Sequence, residues 1–291
     1  MPLIKIVCAL FASAAVVLAS PAHATDIETG LMTWVEIRDA IAAGKTTILI
    51  PTGGTEQNGP HMITAKHNFV GAETARRIAL RLGDTLVAPL LPYVPEGDIA
   101  KRQGHMAYAG TVSLPPTAFA TVLTAIAGSF KAHGFKTIVF IGEHGASIEP
   151  QQRVAEHLSQ MWAGDGIRVI NAGNYYSANG QATWLKAHGD SDGSIGSHAT
   201  IQDTSELLAV YPSGVRLDKR VADKDGVTGD PAKATPEIGH TMLDLKVDAA
   251  VKEIEAARKA PLSKLILAND DAADPIASRG LFSRIWHWFF G

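Results

Sequence analysis

The chain has 291 residues, of which 46% are hydrophobic and 19% are charged, and its formal net charge is −3. This composition is typical of a globular protein and excludes intrinsic disorder and a fibrous structure. Since the chain is slightly acidic and has no basic block, we expect no electrostatic binding to nucleic acid. The single cysteine, Cys8, excludes an internal disulfide framework and a cysteine-based zinc site.

Residues 1–24 have the pattern of an export signal. Lys5 supplies a positive charge, residues 6–18 form a short apolar run, and a small-x-small cleavage pattern follows at residues 22–24. An uncleaved membrane anchor is the less favoured alternative, because the run is shorter than the roughly 20 residues that span a bilayer. We therefore expect a mature chain that begins at Thr25, has no integral membrane span and is periplasmic or secreted.

Predicted strands and helices alternate through the middle of the chain. Short β-branched and apolar runs predict strands at 46–51, 85–91, 136–141 and 167–171. Apolar residues at helical spacing, with cap signals, predict helices at 69–82, 116–133, 149–162, 203–211 and 236–259. This alternation indicates an α/β fold with a largely parallel sheet and helices on both faces. Ligands in such folds bind at the carboxyl ends of the strands.

The C-terminal residues 269–291 differ in composition from the α/β domain, to which we assign residues 25–268. Residues 269–280 are polar, acidic and contain proline and glycine, which is typical of a linker. Residues 281–290 are rich in aromatic side chains. We expect this tail to dock on the domain or on a neighbouring subunit, with an interfacial membrane helix as the alternative.

Histidines and carboxylates must hold any metal ion in the mature chain, because no cysteine remains after removal of the signal. Residues of these types occur in glycine-containing segments at the ends of predicted strands or before predicted helices. They are Glu56, His61, His67, His105, Glu143, His144 and His198.

Four segments of the chain resemble the creatininase (creatinine amidohydrolase) family. IPTGGTEQNGPH resembles the family signature lPvGstEqHGpHlP, and LLPYVPEGDIAKRQGHMAYAGTVSL resembles lPyG-s-H-fpGTisl. TIVFIGEHGAS resembles vvlvNGHGGN, and SHATIQDTSELLAVYPSGVRLD resembles hAGe-ETS-mLa-hPelVr-d. The matches follow the family order from residue 48 to residue 218. The resemblance implies a three-layer α/β/α sandwich, a binuclear metal centre that hydrolyses amide bonds in small molecules, and a homo-oligomer, often a hexamer.

The metal ligands that the resemblance implies are only partly present. Glu56 and His144 match two of them, but Asn58 replaces a ligand histidine and His67 replaces the bridging aspartate. Two further carboxylate positions of the family fall on residues without ligand atoms, Ala146 and Ile201. We therefore expect one divalent metal per chain, held by Glu56, His67 and His144, and loss of the second metal.

Two histidines and one glutamate form a known zinc-binding set that leaves a position open for water. Zinc is therefore the first expectation, with iron, manganese or cobalt as alternatives. The resemblance further implies that His198 transfers protons, and Glu143 is a second candidate base or a ligand.

The expected substrate pocket is lined by His105, Thr111 and Asn58, and His61 is expected to support the ligands from behind. Trp184 lies in an aromatic segment at 174–194 and is our candidate for stacking on the substrate.

These observations favour a metal-dependent hydrolase that acts on a small cyclic amide, a lactone or a related C–N or C–O bond. Creatinine itself is not expected, because the site has diverged and the protein is predicted to be exported. The alternatives are another metal-dependent reaction, such as an isomerisation, and a non-catalytic periplasmic binding or scaffold protein on the same fold. Because His67 is itself a ligand type, its replacement of the aspartate favours a retained metal.

Overall fold

Within residues 26–262, which the computed structural model describes, four parallel strands form one sheet. The predicted export signal and the predicted linker and tail lie outside these residues. The strands are β1 (Thr47–Thr52), β2 (Thr85–Val87), β3 (Thr137–Gly142) and β4 (Arg168–Asn171). Their spatial order is β2-β1-β3-β4, and Thr47 of β1 lies opposite both Thr85 and Thr137.

The helices connect the strands and form most of the remaining structure. The longer ones are α1 (Trp34–Ala42), α2 (Lys66–Leu82), α3 (Pro116–Ala132), α4 (Gly145–Trp162), α8 (Ile201–Val210) and α9 (Pro236–Lys259). Three short helices separate β4 from α8, namely α5 (Asn174–Ser177), α6 (Gln181–Ala187) and α7 (Asp192–Ile195). Single 3-10 turns lie at Thr29–Leu31, Gly104–Ala107, Ala163–Asp165, Pro212–Gly214 and Leu217–Lys219.

Helices cover both faces of the sheet, so the predicted α/β/α sandwich is confirmed. Helices α2 and α9 pack against each other, and α2 also contacts β1 and β2. Helices α3 and α4 form a second packed pair, and α4 contacts β3 and β4. Every residue of β1 is buried, as expected for a central parallel strand with both faces covered.

Two element boundaries differ by four residues from the sequence-based prediction, and smaller shifts occur elsewhere, such as the start of α2 at Lys66 instead of residue 69. Strand β2 ends at Val87 instead of residue 91, and Pro89 and Pro92 beyond it have no N–H to continue a ladder. Helix α4 begins at Gly145, four residues before the predicted start. There the hydroxyl of Ser147 donates to the His144 carbonyl oxygen at 2.7 Å, which keeps this serine within the first turn.

Helix α1 was not predicted, although its capping box is visible in the sequence. Thr33 caps the helix, and Glu36 accepts from the Thr33 backbone N–H at 2.6 Å. Across residues 26–262, no helix combines the length and the apolar character that crossing a membrane requires.

Candidate metal centre

The chemically active side chains lie at the carboxyl ends of the strands. Glu56 is on the loop after β1, and His67 is in the first turn of α2, which follows that loop. His144 follows β3 as the N-cap residue of α4. Glu96 and His105 come from the long connection between β2 and α3. This edge of a parallel sheet is where α/β proteins bind ligands.

Glu56 is fully buried and is the centre of the cluster. Its Oε1 accepts a hydrogen bond from His67 Nε2 at 2.7 Å. Its Oε2 lies 3.0 Å from His105 Nδ1 and 3.2 Å from His144 Nε2. The two carboxylate oxygens therefore face different partners, with one oxygen committed to His67 and the other directed towards two further histidines.

Glu96 adds a second buried carboxylate, and its Oε2 lies 3.0 Å from His144 Nε2. A Cβ at Gly54 would stand 2.7 Å from Glu96 Oε1, so the glycine makes room for this side chain. Glu56 Oε2 and both oxygens of Glu96 are buried, and although histidine nitrogens lie 3.0–3.2 Å from two of them, none accepts a well-directed hydrogen bond from the described residues. Unpaired buried carboxylate oxygens are costly, and a bound cation would satisfy them. The residues therefore fit a metal ion.

Glu56, His105 and His144 each offer one ligand atom, and these atoms all lie within 4.8 Å of one another. The structure thus brings His105, which we expected in the pocket wall, into the group positioned to hold one ion. His67, which we expected as a ligand, instead directs its Nε2 at Glu56 Oε1. The sequence positions of these two histidines do not reveal this exchange, because the β2–α3 loop folds back over the site.

The pKa values of the clustered side chains show that the buried carboxylates favour a positive charge beside them. Burial would raise the pKa of Glu56, but His105, His144 and His67 together hold it far below its usual range. Burial would lower the pKa of His144, but contacts with Glu56 and Glu96 raise it to about 9. Burial raises the pKa of Glu96. Without a cation, a proton on His144 supplies the charge that a metal ion would otherwise bring.

His198 is oriented as a base that faces the cluster. Its Nε2 donates to the Gln57 carbonyl oxygen at 2.9 Å, so the neutral ring carries its lone pair on Nδ1. That Nδ1 lies 3.8 Å from Glu56 Oε1. Burial lowers the pKa of His198, which favours the neutral ring.

A cavity of about 600 Å³ opens above the cluster. Its lining includes Glu56, Glu96, His105, His144, Tyr176 and His198. It is large enough for a small molecule or the end of a peptide.

A second group of buried charges lies beyond His67, and we call it the closed network: Glu143, Tyr175, Glu206 and Lys246. Lys246 Nζ donates to Glu143 Oε1 at 2.7 Å and to Glu206 Oε2 at 2.9 Å. The Tyr175 hydroxyl donates to Glu143 Oε2. We call the group at the cavity the open cluster: Glu56, Glu96, His105 and His144.

The closed network corrects our expectation for Glu143. This side chain is 1% exposed and does not line the cavity, so it has no access to a substrate there. Burial would raise its pKa, but Lys246, His67 and Lys66 together outweigh burial and lower it to about 2. A carboxylate with so low a pKa and two donors is a poor proton acceptor. Its role here is electrostatic.

Three other predicted residues support the site loops. Asn58 donates to the Glu56 backbone oxygen at 3.1 Å, and Thr111 Oγ1 accepts from the Gln57 N–H at 3.2 Å. His61 is fully buried, with Nε2 2.9 Å from the Thr204 hydroxyl of α8. Neither Asn58 nor Thr111 is among the described residues that line the cavity.

Trp184 lies on α6, outside the described cavity lining. Its ring stacks on His188 with centroids 3.7 Å apart, and it packs against a separate small apolar core. The stacking role that we expected with a substrate is therefore taken by a histidine of the same helix segment.

Glu96, Lys66 and Lys246 were not predicted from the sequence. Glu96 stands in an irregular loop, where no periodic pattern marks an inward-facing side chain. Lys246, in contrast, falls among Met242, Leu243, Val247 and Ala250 on the apolar face of α9. A lysine at such a position signals a buried ionic partner.

The fold and the cluster together define an α/β/α sandwich protein with a candidate metal centre at the carboxyl edge of its sheet. The chain belongs to the creatininase family, since the family profile, described as creatinine amidohydrolase, matches residues 30–254. The resemblance stated from the four sequence segments is therefore confirmed.

Two relatives and one solved structure illustrate the similarity. The mycofactocin precursor peptide peptidase of Mycobacterium ulcerans is 27% identical over 221 residues, which cover 72% of this chain and 84% of that protein. The creatinine amidohydrolase of Pseudomonas putida is 27% identical over 213 residues, which cover 71% and 80%. The structure of creatininase Mn matches with a TM-score of 0.68 at 22% identity and covers 81% of this chain and 100% of that chain. At this identity the structural match shows a shared fold.

Proposed function

We propose that this creatininase-family amidohydrolase uses one divalent metal ion, held by Glu56, His105 and His144, with Glu96 beside it. The observation that carries the proposal is the convergence of three buried carboxylate oxygens, which accept no hydrogen bond within residues 26–262, and two histidines on the floor of one cavity. A cation bound there would lower the pKa of water and polarise a carbonyl oxygen.

Zinc is the metal that we propose, because two histidines with a glutamate form a common catalytic zinc set. Manganese is the main alternative, since a second carboxylate favours a harder ion and a creatininase structure is described with it.

The protein residues then supply binding and proton transfer. His198 Nδ1 faces Glu56 across 3.8 Å and accepts a proton from water that attacks the scissile carbonyl. The same nitrogen returns the proton to the leaving amine or alcohol. Gln57 holds two of the cavity histidines, since its carbonyl oxygen accepts from His198 and its side chain contacts His105 Nδ1 at 3.1 Å.

The substrate class that we propose is a small cyclic amide, a lactone or a related compound. The peptidase relative supports a second candidate, the amide bond of a short peptide. The cavity volume of about 600 Å³ is compatible with either class. We also propose that the protein is exported, on the pattern of residues 1–24, and that it forms a homo-oligomer.

The test is the metal content of the purified mature protein, measured per chain by elemental mass spectrometry. We expect about one metal per chain, and loss of it in Glu56→Gln and His144→Ala. Glu149→Gln and His133→Ala, which change exposed residues on and near α4 and α3, are the matched controls.

Cyclic amides, lactones and short peptides are then assayed with the same variants. Absence of metal after reconstitution would overturn the metal mechanism. Stoichiometric metal without turnover of any of the three classes would overturn the hydrolase and favour a non-catalytic binding protein.

A further inference from the structure

Lys66 is a buried lysine that the proposed reaction does not use. It is the first residue of α2, it is 1% exposed, and it precedes His67. Its Nζ lies 2.5 Å from Asp203 Oδ1 and 3.1 Å from His67 Nδ1. A fully buried lysine is rare unless it is paired, so both contacts require an explanation.

The two contacts of Lys66 determine which nitrogen of His67 carries the proton. Burial would lower the pKa of Lys66, but Asp203, Glu143 and Glu206 raise it overall, so the ammonium persists. An ammonium group only donates hydrogen bonds, so His67 Nδ1 must accept. The ring hydrogen then resides on Nε2, which donates to Glu56 Oε1.

This arrangement decides what Glu56 offers to a metal ion. With Oε1 occupied by the His67 N–H, only Oε2 is directed towards His105 and His144. His67 is also excluded as a ligand, because its Nε2 carries a hydrogen and its Nδ1 faces an ammonium group. One carboxylate oxygen is thus available on the cavity side and none on the Lys66 side.

We propose that Lys66 is a positioning residue that takes the place of a second cation, fixing His67 as a donor and limiting the site to one metal. The proposal rests on the metal centre of the proposed function. It adds why Glu56 presents a single oxygen, and it predicts that the adjacent acidic side chains hold no ion of their own.

The charges around Lys66 support this substitution. Asp203 is its direct partner, and Glu143 Oε1 lies 4.0 Å from His67 Nδ1. Lys246 already pairs with Glu143 and with Glu206. Removal of the Lys66 ammonium therefore leaves the three carboxylates with Lys246 as their lysine partner. It also leaves Nδ1 of the adjacent His67 without its hydrogen-bond donor. Such a set of oxygen and nitrogen atoms attracts a divalent cation.

The first test is the tautomer of His67 in metal-free protein, measured by long-range proton–nitrogen NMR on histidine-labelled chain. The His67→Asn spectrum identifies the signal. We expect the Nε2–H tautomer in the wild type and its loss or mixing in Lys66→Met. Lys131→Met, which removes a surface partner of Asp165, should leave the signal unchanged. An Nδ1–H ring or an imidazolium in the wild type would overturn the proposal without any variant.

The second test is metal binding by Lys66→Met in a zinc titration with elemental analysis. We expect the first ion to bind about tenfold to a hundredfold more weakly, because its supporting contacts are lost. We also expect a second ion per chain at excess zinc, where the wild type holds one. A variant that shows the wild-type affinity and still takes one ion would contradict the proposal.

The two tests separate this inference from the proposed function. If the wild type binds no metal, the proposed function fails, while the tautomer measurement still decides the role of Lys66. If the wild type binds one metal with His67 in the other tautomer, the function stands and the inference fails.

Discussion

The open cluster and the closed network are two groups of buried charge on either side of His67. They differ in how many of their carboxylate oxygens accept hydrogen bonds. In the closed network, all four carboxylate oxygens of Glu143 and Glu206 have donors, namely Lys246, Tyr175 and Gln181. In the open cluster, Glu56 Oε2 and both Glu96 oxygens have none among the described residues. The network contains a lysine that donates to both of its carboxylates, whereas the four residues of the open cluster include no lysine or arginine.

Both groups are buried, so burial alone does not distinguish a structural role from a functional one. The presence or absence of hydrogen-bond donors does. Lys246 lowers the pKa of Glu143 against burial, while burial raises the pKa of Glu96. A buried charge with its partners in place stabilises a conformation only while those partners remain. A buried charge without a partner is a cost that ligand binding can recover.

The largest expected effect comes from breaking the closed network at its only lysine. Lys246→Met leaves Glu143 and Glu206 buried without a cation, so we expect the free energy of unfolding to fall by about 3–5 kcal/mol. Urea denaturation measures this loss. Lys131→Met removes an exposed ion pair with Asp165 and should cost about 0–1 kcal/mol. A comparable small loss for both variants would contradict the distinction between the two groups.

Removal of a charge from the open cluster should stabilise the metal-free protein, whereas removal of the lysine from the closed network should destabilise it. Glu96→Gln removes a buried carboxylate that shares the His144 imidazolium with Glu56, so we expect the metal-free protein to gain about 2 kcal/mol of stability. The same change should weaken metal binding by about tenfold or more. Thermal unfolding after chelation and a metal titration measure the two effects. Destabilisation of the metal-free variant would show that Glu96 is already satisfied.

Acid titration of stability sharpens the comparison further. The pKa of Glu143 lies at about 2 in the folded chain, below its ordinary value of 4.5. A depressed carboxyl pKa stabilises the fold above pH 4.5, and that contribution is lost as the pH falls from 4.5 towards 2. Glu143→Gln should therefore show a flatter pH dependence of the urea midpoint over this interval. Its loss at neutral pH should be smaller than for Lys246→Met, because Lys246 keeps Glu206.

Local sequence patterns predict most of the helices and strands of this fold. Helix α9 begins and ends where the sequence predicts, at Pro236 and Lys259, because a capping threonine and a proline mark its start. Strands β1 and β3 are displaced by one residue from their predicted bounds. Such elements depend on periodicity over a continuous stretch, which a single sequence contains.

The site is less accessible to sequence reasoning, because it depends on contacts between distant segments. The motif resemblance drew attention to Glu56 and His144, which the fold brings within 3.2 Å. It assigned His67 to the metal and His105 to the pocket wall, whereas the structure groups His105 with Glu56 and His144, because the approach of the β2–α3 loop is a tertiary property. The buried position of Lys246 could have been predicted from the sequence, because a lysine on an apolar helical face requires a buried partner.

The smallest expected effect comes from substitutions of two adjacent tyrosines, Tyr175 and Tyr176, which lie on either side of the boundary between the closed network and the open cluster. Tyr175 is fully buried, 2.7 Å from the Thr74 hydroxyl, and donates to Glu143, whereas Tyr176 lines the cavity. Tyr175→Phe leaves one carboxylate oxygen without its donor, so we expect a loss of about 1.5 kcal/mol in unfolding free energy and unchanged metal content. Tyr176→Phe should leave stability nearly unchanged and alter KM once a substrate is identified. If Tyr175→Phe instead released the metal, the closed network would belong to the metal centre, and the separation at His67 would be wrong.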